Sequence, residues 1–321
     1  MSTPAPTVEL DGQYRALRGE AGYFAPSRAM LLVSGRDAAQ YLQGQLTNDV
    51  EPLGPGQGCY AALLDRKGHL VSDMRVLRLE SAGGGIWLDL EVRPSEAVLK
   101  HLRTYSIGRD VEIEDVTERW TIASVIGPRA EELTGFEGLE PEYAQRYREW
   151  AGVEVLAVAT DLGVDLIVRT DQAEALEQLL HEAGVAEVSE EAAEILRVES
   201  GRPRFGLDMG PESMPAEAGI VERAVNFEKG CYIGQEPVAR LHYRGKPNRS
   251  LRGLRLSGPA ESGQSLQLGE REVGRVGTAC LSPALGSIAL AIVRREAAVD
   301  DRLDVGGGGV TAEVVELPFR R

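Results

Sequence analysis

The 321-residue sequence predicts an α+β fold: two ferredoxin-like subdomains forming one unit, then a C-terminal antiparallel β-barrel. Segments with strand and helix periods alternate as β-α-β-β-β-α-β and then β-α-β-β-α. A long stretch with neither period follows. Beyond it, short strand-like runs are separated by Gly, Pro and Asp, as in a small barrel.

Residues 30–33 read as a strand, and Ser34-Gly35-Arg36-Asp37 opens a helix to about residue 46, with Tyr41, Leu42 and Gln45 at helical spacing. Residues 59–64 and 70–79 are strands joined by the turn Asp65-Arg66-Lys67-Gly68, and a turn at Gly83-Gly84-Gly85 leads into a strand at 86–92. Pro94 stands where a first helical turn needs no N–H donor, so a helix runs from there to about 105, with Val98, Leu99 and Leu102 on its apolar face. A strand at 111–116 closes the first subdomain. The second has a strand at 121–126, a short helix at 128–133 and a hairpin of 153–160 with 164–170. Asp171 caps the next helix, with Glu174 in the capping-box position and Gly184 at its end. Ser189 caps a helix from 190 to about 200, and residues 201–248 read as a long loop. Barrel strands are expected at 251–256, 265–268, 272–278, 287–293 and 310–316. The domain boundaries are therefore 1–248, with subdomains at about 27–118 and 119–200 and a motif loop at 201–248, and 249–321 for the barrel.

The net charge of −15 argues against broad nucleic-acid binding, which depends on Lys and Arg neutralising phosphates. No apolar run is long enough to span a bilayer, and the first ten residues carry no signal pattern, so a cytoplasmic protein with no membrane partner is expected. Cys59, Cys231 and Cys280 are far apart, which speaks against a disulfide scaffold and for a reducing compartment. The four histidines lack ligand spacing, so no metal site is expected.

Within the long loop, Cys231 lies between Gly230 and Gly234, beside Lys229, with Arg240, His242, Arg244, Lys246 and Arg249 close behind. Nearby positive charge favours a thiolate, so Cys231 is a candidate reactive thiol; a small buried hydrophobe is the other reading.

Lys229-Gly-Cys-Tyr-Ile-Gly-Gln-Glu236 matches the K-G-C-Y-x-G-Q-E signature of the YgfZ-type folate-binding proteins, relatives of the aminomethyltransferase (T-protein) of the glycine cleavage system. The segments Tyr41-Leu-Gln-Gly-Gln-Leu-Thr-Asn-Asp-Val50 and Tyr60-Ala-Ala-Leu-Leu-Asp65 also resemble this group. The resemblance runs from about residue 27 to the barrel. It implies two ferredoxin-like subdomains and a barrel around a channel that binds tetrahydrofolate. It implies as well a role in assembling or repairing iron–sulfur enzymes, including those that modify transfer RNA, through transient contact with those enzymes or their assembly factors.

Three site assignments follow from the resemblance. The aminomethyltransferases carry an Asp-Asp pair after a glycine turn; here the stretch is Gly68-His-Leu-Val-Ser72-Asp73, so one acid is Ser72 and Asp73 is the candidate catalytic group. Glu199, in Arg197-Val-Glu-Ser-Gly201, resembles a glutamate that holds the pterin, since a carboxylate can accept two parallel hydrogen bonds from an amino-pyrimidine edge. Arg240 and Arg244 could hold the carboxylates of the folate tail, with Lys229, Tyr232 and Gln235 of the motif as further folate contacts. The leading expectation is a tetrahydrofolate-binding accessory factor for iron–sulfur proteins, with Cys231 supplying a thiol, rather than a classical aminomethyltransferase. The alternatives are a folate-dependent aminomethyl or one-carbon transferase of the T-protein type, and an interaction scaffold.

Overall fold

The computed structural model describes residues 8–80 and 85–320. The expected turn at Gly83-Gly84 lies outside the described residues. The chain forms two compact units, neither contiguous in sequence. Among the described residues, one, the sheet unit, holds Arg15–Glu190 and Arg223–Gln235; the other, the barrel unit, holds 8–14, Glu191–Glu222 and 236–320.

The chain opens with α1 (Val8–Gly19) and β1 (Gly22–Phe24), neither of which the sequence pattern singled out. In the sheet unit, β2 (Arg28–Ser34), α2 (Ala38–Gln43), β3 (Gly58–Leu64), β4 (Leu70–Arg78), β5 (Ile86–Glu91), α3 (Val92–Tyr105) and β6 (Glu112–Asp115) reproduce the expected β-α-β-β-β-α-β order. Their sheet is antiparallel throughout, in the order β3-β4-β5-β2-β6. Its core gathers Leu31, Val33, Met74, Val76 and Leu88 from the strands with Tyr41, Leu42, Val98 and Leu102 from the helices. Val98 and Leu102 are four residues apart, which puts them on one helical face.

The second sheet contains β7 (Trp120–Ile126), β8 (Gln145–Trp150), β9 (Val153–Ala159), β10 (Gly163–Arg169) and β11 (Ala186–Glu187), in the order β11-β1-β7-β10-β9-β8, with α4 (Ala130–Thr134) and α5 (Ala173–Glu182) between strands. The expected cap at Asp171 is replaced: a short 3₁₀ turn covers Thr170–Gln172, and α5 begins without a side-chain cap. A buried charge network joins the two sheets. Arg75 of β4 pairs with Asp89 of β5 and Asp165 of β10, and Arg28 donates to Asp89 (2.8 Å) and Glu91 (2.8 Å). Breaking either partner of such a buried pair would strand the other charge, so the network fixes how β4 is presented.

In the barrel unit, α6 (Glu190–Glu199) is followed by an irregular stretch, the short α7 (Val221–Ala224), which crosses into the sheet unit, and α8 (Gln235–Arg244). The last is a correction: part of the expected 201–248 loop is a helix, with Pro237 in its first turn, where a missing N–H costs nothing. The strands β12 (Arg249–Leu256), β13 (Ser265–Leu268), β14 (Arg271–Ser282), β15 (Gly286–Arg294), β16 (Arg302–Val305) and β17 (Val310–Val315) close into an antiparallel barrel in the order β12-β15-β14-β13-β16-β17. Sequence spacing found five of the six strands and missed β16. The β14–β15 register slips between Val276 and Ala279, and Asp208 fills the break: its Oδ1 accepts from the Thr278 N–H at 2.7 Å.

Candidate active site and its family

Asp73 lies on β4, where successive side chains take opposite faces. Ser72 is fully buried and donates to the Asp73 carbonyl; Asp73 is half-buried on the other face. Across the ladder, Tyr60 of β3 donates its hydroxyl to Asp73 Oδ2 at 2.7 Å. Oδ1 of Asp73 is buried and meets no hydrogen-bond partner. Burial raises the Asp73 carboxyl above its ordinary value; the Tyr60 hydrogen bond and the charge of Arg28 oppose it. The Tyr60 phenol is held well above its usual range, first by burial and then by the charge of Asp73, so it stays a donor.

The segment before β3 ties this pair to residues 223–226. Asn48 Nδ2 donates to the carbonyls of both Tyr60 (2.8 Å) and Arg223 (3.0 Å). Thr47 donates its hydroxyl to the Ala224 carbonyl (2.5 Å) and accepts from the Ala62 N–H (2.8 Å). Arg223 lays its guanidinium 4.9 Å from the Tyr60 ring centroid, while its Nη2 donates to Glu142 and to the Tyr143 hydroxyl, each at 2.6 Å. Sequence reasoning missed Arg223, Glu142 and Tyr143 as members of one cluster. Tyr60 and Asn48 were legible only as parts of matching segments.

The motif loop in the sheet unit is fastened by Lys229. Its ammonium donates to the carbonyls of Gln43 (2.7 Å), Leu46 (2.6 Å) and Asn48 (2.8 Å), using all three protons at the C-terminal end of α2. Burial pushes its pKa down to about 8. The expected role of Lys229 in polarising Cys231 is thus corrected: its charge is directed onto three carbonyls. Tyr232 packs its ring 5.1 Å from the same ammonium, is 7% exposed, and leaves its buried hydroxyl without a partner. Gly234, at φ +81°, could not be replaced: a Cβ there would lie 2.4 Å from the Asp65 carbonyl oxygen. Cys231 is exposed, whereas Cys59 and Cys280 are partly covered and burial pushes both thiols up to about 12. Gln235 begins α8; Arg240 and Arg244 are exposed on that helix, as is Lys246 beyond it. Arg249, beyond that helix, pairs with Glu217 through Nε (3.0 Å) and Nη2 (2.8 Å).

In the barrel unit, Glu199 is the last residue of α6 and only 5% exposed. Tyr14 donates its hydroxyl across both carboxylate oxygens (2.9 and 3.2 Å), and Ser282 of β14 donates to Oε1. Glu199 is therefore a buried, oriented acceptor.

Residues 9–229 match the model of the GCVT N-terminal domain, and residues 249–320 match that of the glycine cleavage T-protein C-terminal barrel domain. The chain belongs to the glycine cleavage T-protein family. Aminomethyltransferases of Rubrobacter xylanophilus and Exiguobacterium sibiricum are each 31% identical to it, over 99% and 96% of the chain and 88% and 89% of the relatives. The fold agrees with the crystal structure of the glycine cleavage system aminomethyltransferase T from Bartonella henselae, with a TM-score of 0.85 at 22% identity, covering 99% of this chain and 91% of that one. The family is thus the broader T-protein group that the sequence resembled. Among the described residues no helix is long and apolar enough to cross a membrane.

Proposed function

We propose that the chain is a tetrahydrofolate-dependent aminomethyl or one-carbon transferase of the T-protein type, with Asp73 beside the reacting centre. The observation that carries this is the half-engaged Asp73 carboxyl: Tyr60 holds one oxygen, and the other is buried without a partner. Buried polar atoms are almost always satisfied, so an orphaned oxygen fits a polar ligand group. Burial also raises this carboxyl above its ordinary value, the direction that suits a group taking part in proton transfer. The loss of the second acid weighs less than the sequence suggested. Position 72 faces away from Asp73 into a fully buried environment, so Ser72 takes nothing from the side that Asp73 serves.

Tetrahydrofolate would supply the nitrogen nucleophiles that accept the one-carbon unit. Glu199, oriented by Tyr14 and Ser282, suits the amino-pyrimidine edge of the pterin, and Arg240 and Arg244 suit the tail carboxylates. The test is formation of methylenetetrahydrofolate from an aminomethylated lipoyl carrier protein, with calorimetry of tetrahydrofolate binding alongside. Glu199→Gln should weaken binding by roughly 1.5–3 kcal/mol, the range for hydrogen bonds to charged groups. Tight folate binding without transfer would reject the enzyme reading.

A second reading, the YgfZ-type accessory factor for iron–sulfur proteins, is favoured by the exposed Cys231 within the K-G-C-Y-I-G-Q-E motif. It predicts folate binding without transfer, and loss of complementation of an iron–sulfur enzyme defect by Cys231→Ser. Full complementation by that variant would remove the thiol from the function.

A further inference from the structure

Arg223 belongs to the cluster around Tyr60, but the proposed chemistry gives it no role, and the geometry around it is specific. Its guanidinium is held by Glu142 and Tyr143, which lie just before β8 in the second subdomain. Its flat face lies over the ring of Tyr60, on a strand of the first. Asn48 ties the backbones of Arg223 and Tyr60 together with one amide group. Nε of Arg223 is buried and donates to no hydrogen-bond acceptor. The Tyr60 hydroxyl, at the far end of the stacked ring, reaches Asp73.

We propose that Arg223 is a positioning residue for Asp73 that acts through Tyr60: the clamped guanidinium fixes the Tyr60 ring so that its hydroxyl stays on one carboxyl oxygen and leaves the other without a partner. The inference deepens, and rests on, the role given to Asp73 above. Two physical effects work together. A cation over an aromatic face restrains the ring's orientation. The same positive charge makes the phenol a better hydrogen-bond donor, because it favours the electron-rich oxygen of a polarised O–H. Both strengthen the bond to Asp73, and both are lost when the guanidinium goes. A second consequence is that the carboxyl on the first sheet is set by residues of the second subdomain. Sequence segments 48, 60, 73, 142–143 and 223 therefore form one chain of contacts within the sheet unit.

The test is the titration of the Asp73 carboxyl by carbon NMR of the full chain labelled at aspartate, with the Asp73→Asn variant assigning the signal. Wild type is compared with Tyr60→Phe, Arg223→Gln and the double variant. Removing the Tyr60 donor should raise the Asp73 titration. Arg223→Gln should raise it by about half a pH unit, the size of a modest cation–π contribution. In the double variant, Arg223→Gln should add nothing to Tyr60→Phe, because the route through the hydroxyl is already closed. Additive shifts would mean a direct through-space effect and overturn the proposal, as would an unmoved titration in Arg223→Gln. Should that variant fail to fold, Glu142→Gln releases one hold on the guanidinium and should shift Asp73 in the same direction by less; no shift overturns the proposal equally. Intact coupling in a chain that neither binds folate nor transfers sinks the proposed function and leaves this inference standing. Working folate chemistry with additive shifts does the reverse.

Discussion

Asp73 and Glu199 are both carboxylates drawn out of water, and the chain finishes them differently. Glu199 receives hydroxyls from Tyr14 and Ser282, which reach it from α1 and the barrel. Asp73 receives one hydroxyl, from Tyr60, and keeps a buried oxygen without a partner. A carboxylate engaged by donors from separate elements holds those elements together as well as anything it binds. One left half-engaged contributes little to stability and is poised for chemistry. The two residues should therefore respond to substitution in opposite ways.

The sharpest break of this comparison is Asp73→Asn. It should lower one-carbon transfer by about 10²–10⁴-fold, the usual contribution of a positioned acid or base, while denaturant unfolding moves by less than about 1 kcal/mol. A matching loss of stability and rate would make Asp73 a structural residue. Glu199→Ala should by contrast cost about 2–4 kcal/mol of stability on denaturant unfolding, because two buried hydroxyls lose their acceptor. A neutral result would mean that Tyr14 and Ser282 find other partners, and that Glu199 is no anchor.

The pH dependence refines the contrast. Burial raises Asp73 above its ordinary 3.8 in the folded chain. Between 3.8 and that raised value, the folded state binds a proton that the unfolded state has released. The stability contribution is thus full below pH 3.8 and fades as pH rises through the raised value. Unfolding free energies measured across this range should show that decline, and Asp73→Asn should flatten it. The smallest effect concerns the thiols. Exposed Cys231 should alkylate before Cys59 and Cys280, whose burial holds them protonated up to about pH 12. Mass-spectrometric labelling with equal rates at all three would mean that the motif thiol is shielded.

The fold was legible where burial is one-sided. Alternation in β4 and the Val98–Leu102 spacing in α3 carry their own signal. Elements that bury little were lost. β8 reads Gln-Arg-Tyr-Arg-Glu-Trp at a sheet edge and does not alternate, and α8 buries only Val238 in ten mostly polar residues, so its helical face has little apolar content to mark it. The site divides similarly. Asp73 and Glu199 were singled out because the stretches around them resemble segments of a known family. Arg223 was not, because its meaning comes from Glu142, Tyr143 and Tyr60, all brought to it by tertiary folding.

The break in β14 has a consequence for how the gene could be divided. Where the strand slips, Thr278 finds its partners outside the barrel: its N–H donates to Asp208, and its hydroxyl accepts from Arg197 at 2.8 Å. Arg197 also donates to Asp208 at 2.7 Å. Even a methyl group on Gly277 would collide with this plug, 2.6 Å from Asp208 Oδ1. A fragment starting at residue 249 would encode every strand of the barrel yet lack the stopper for its own seam. The shortest portable module begins before residue 197, and recombination at the apparent domain boundary would yield a barrel with an open, sticky flank.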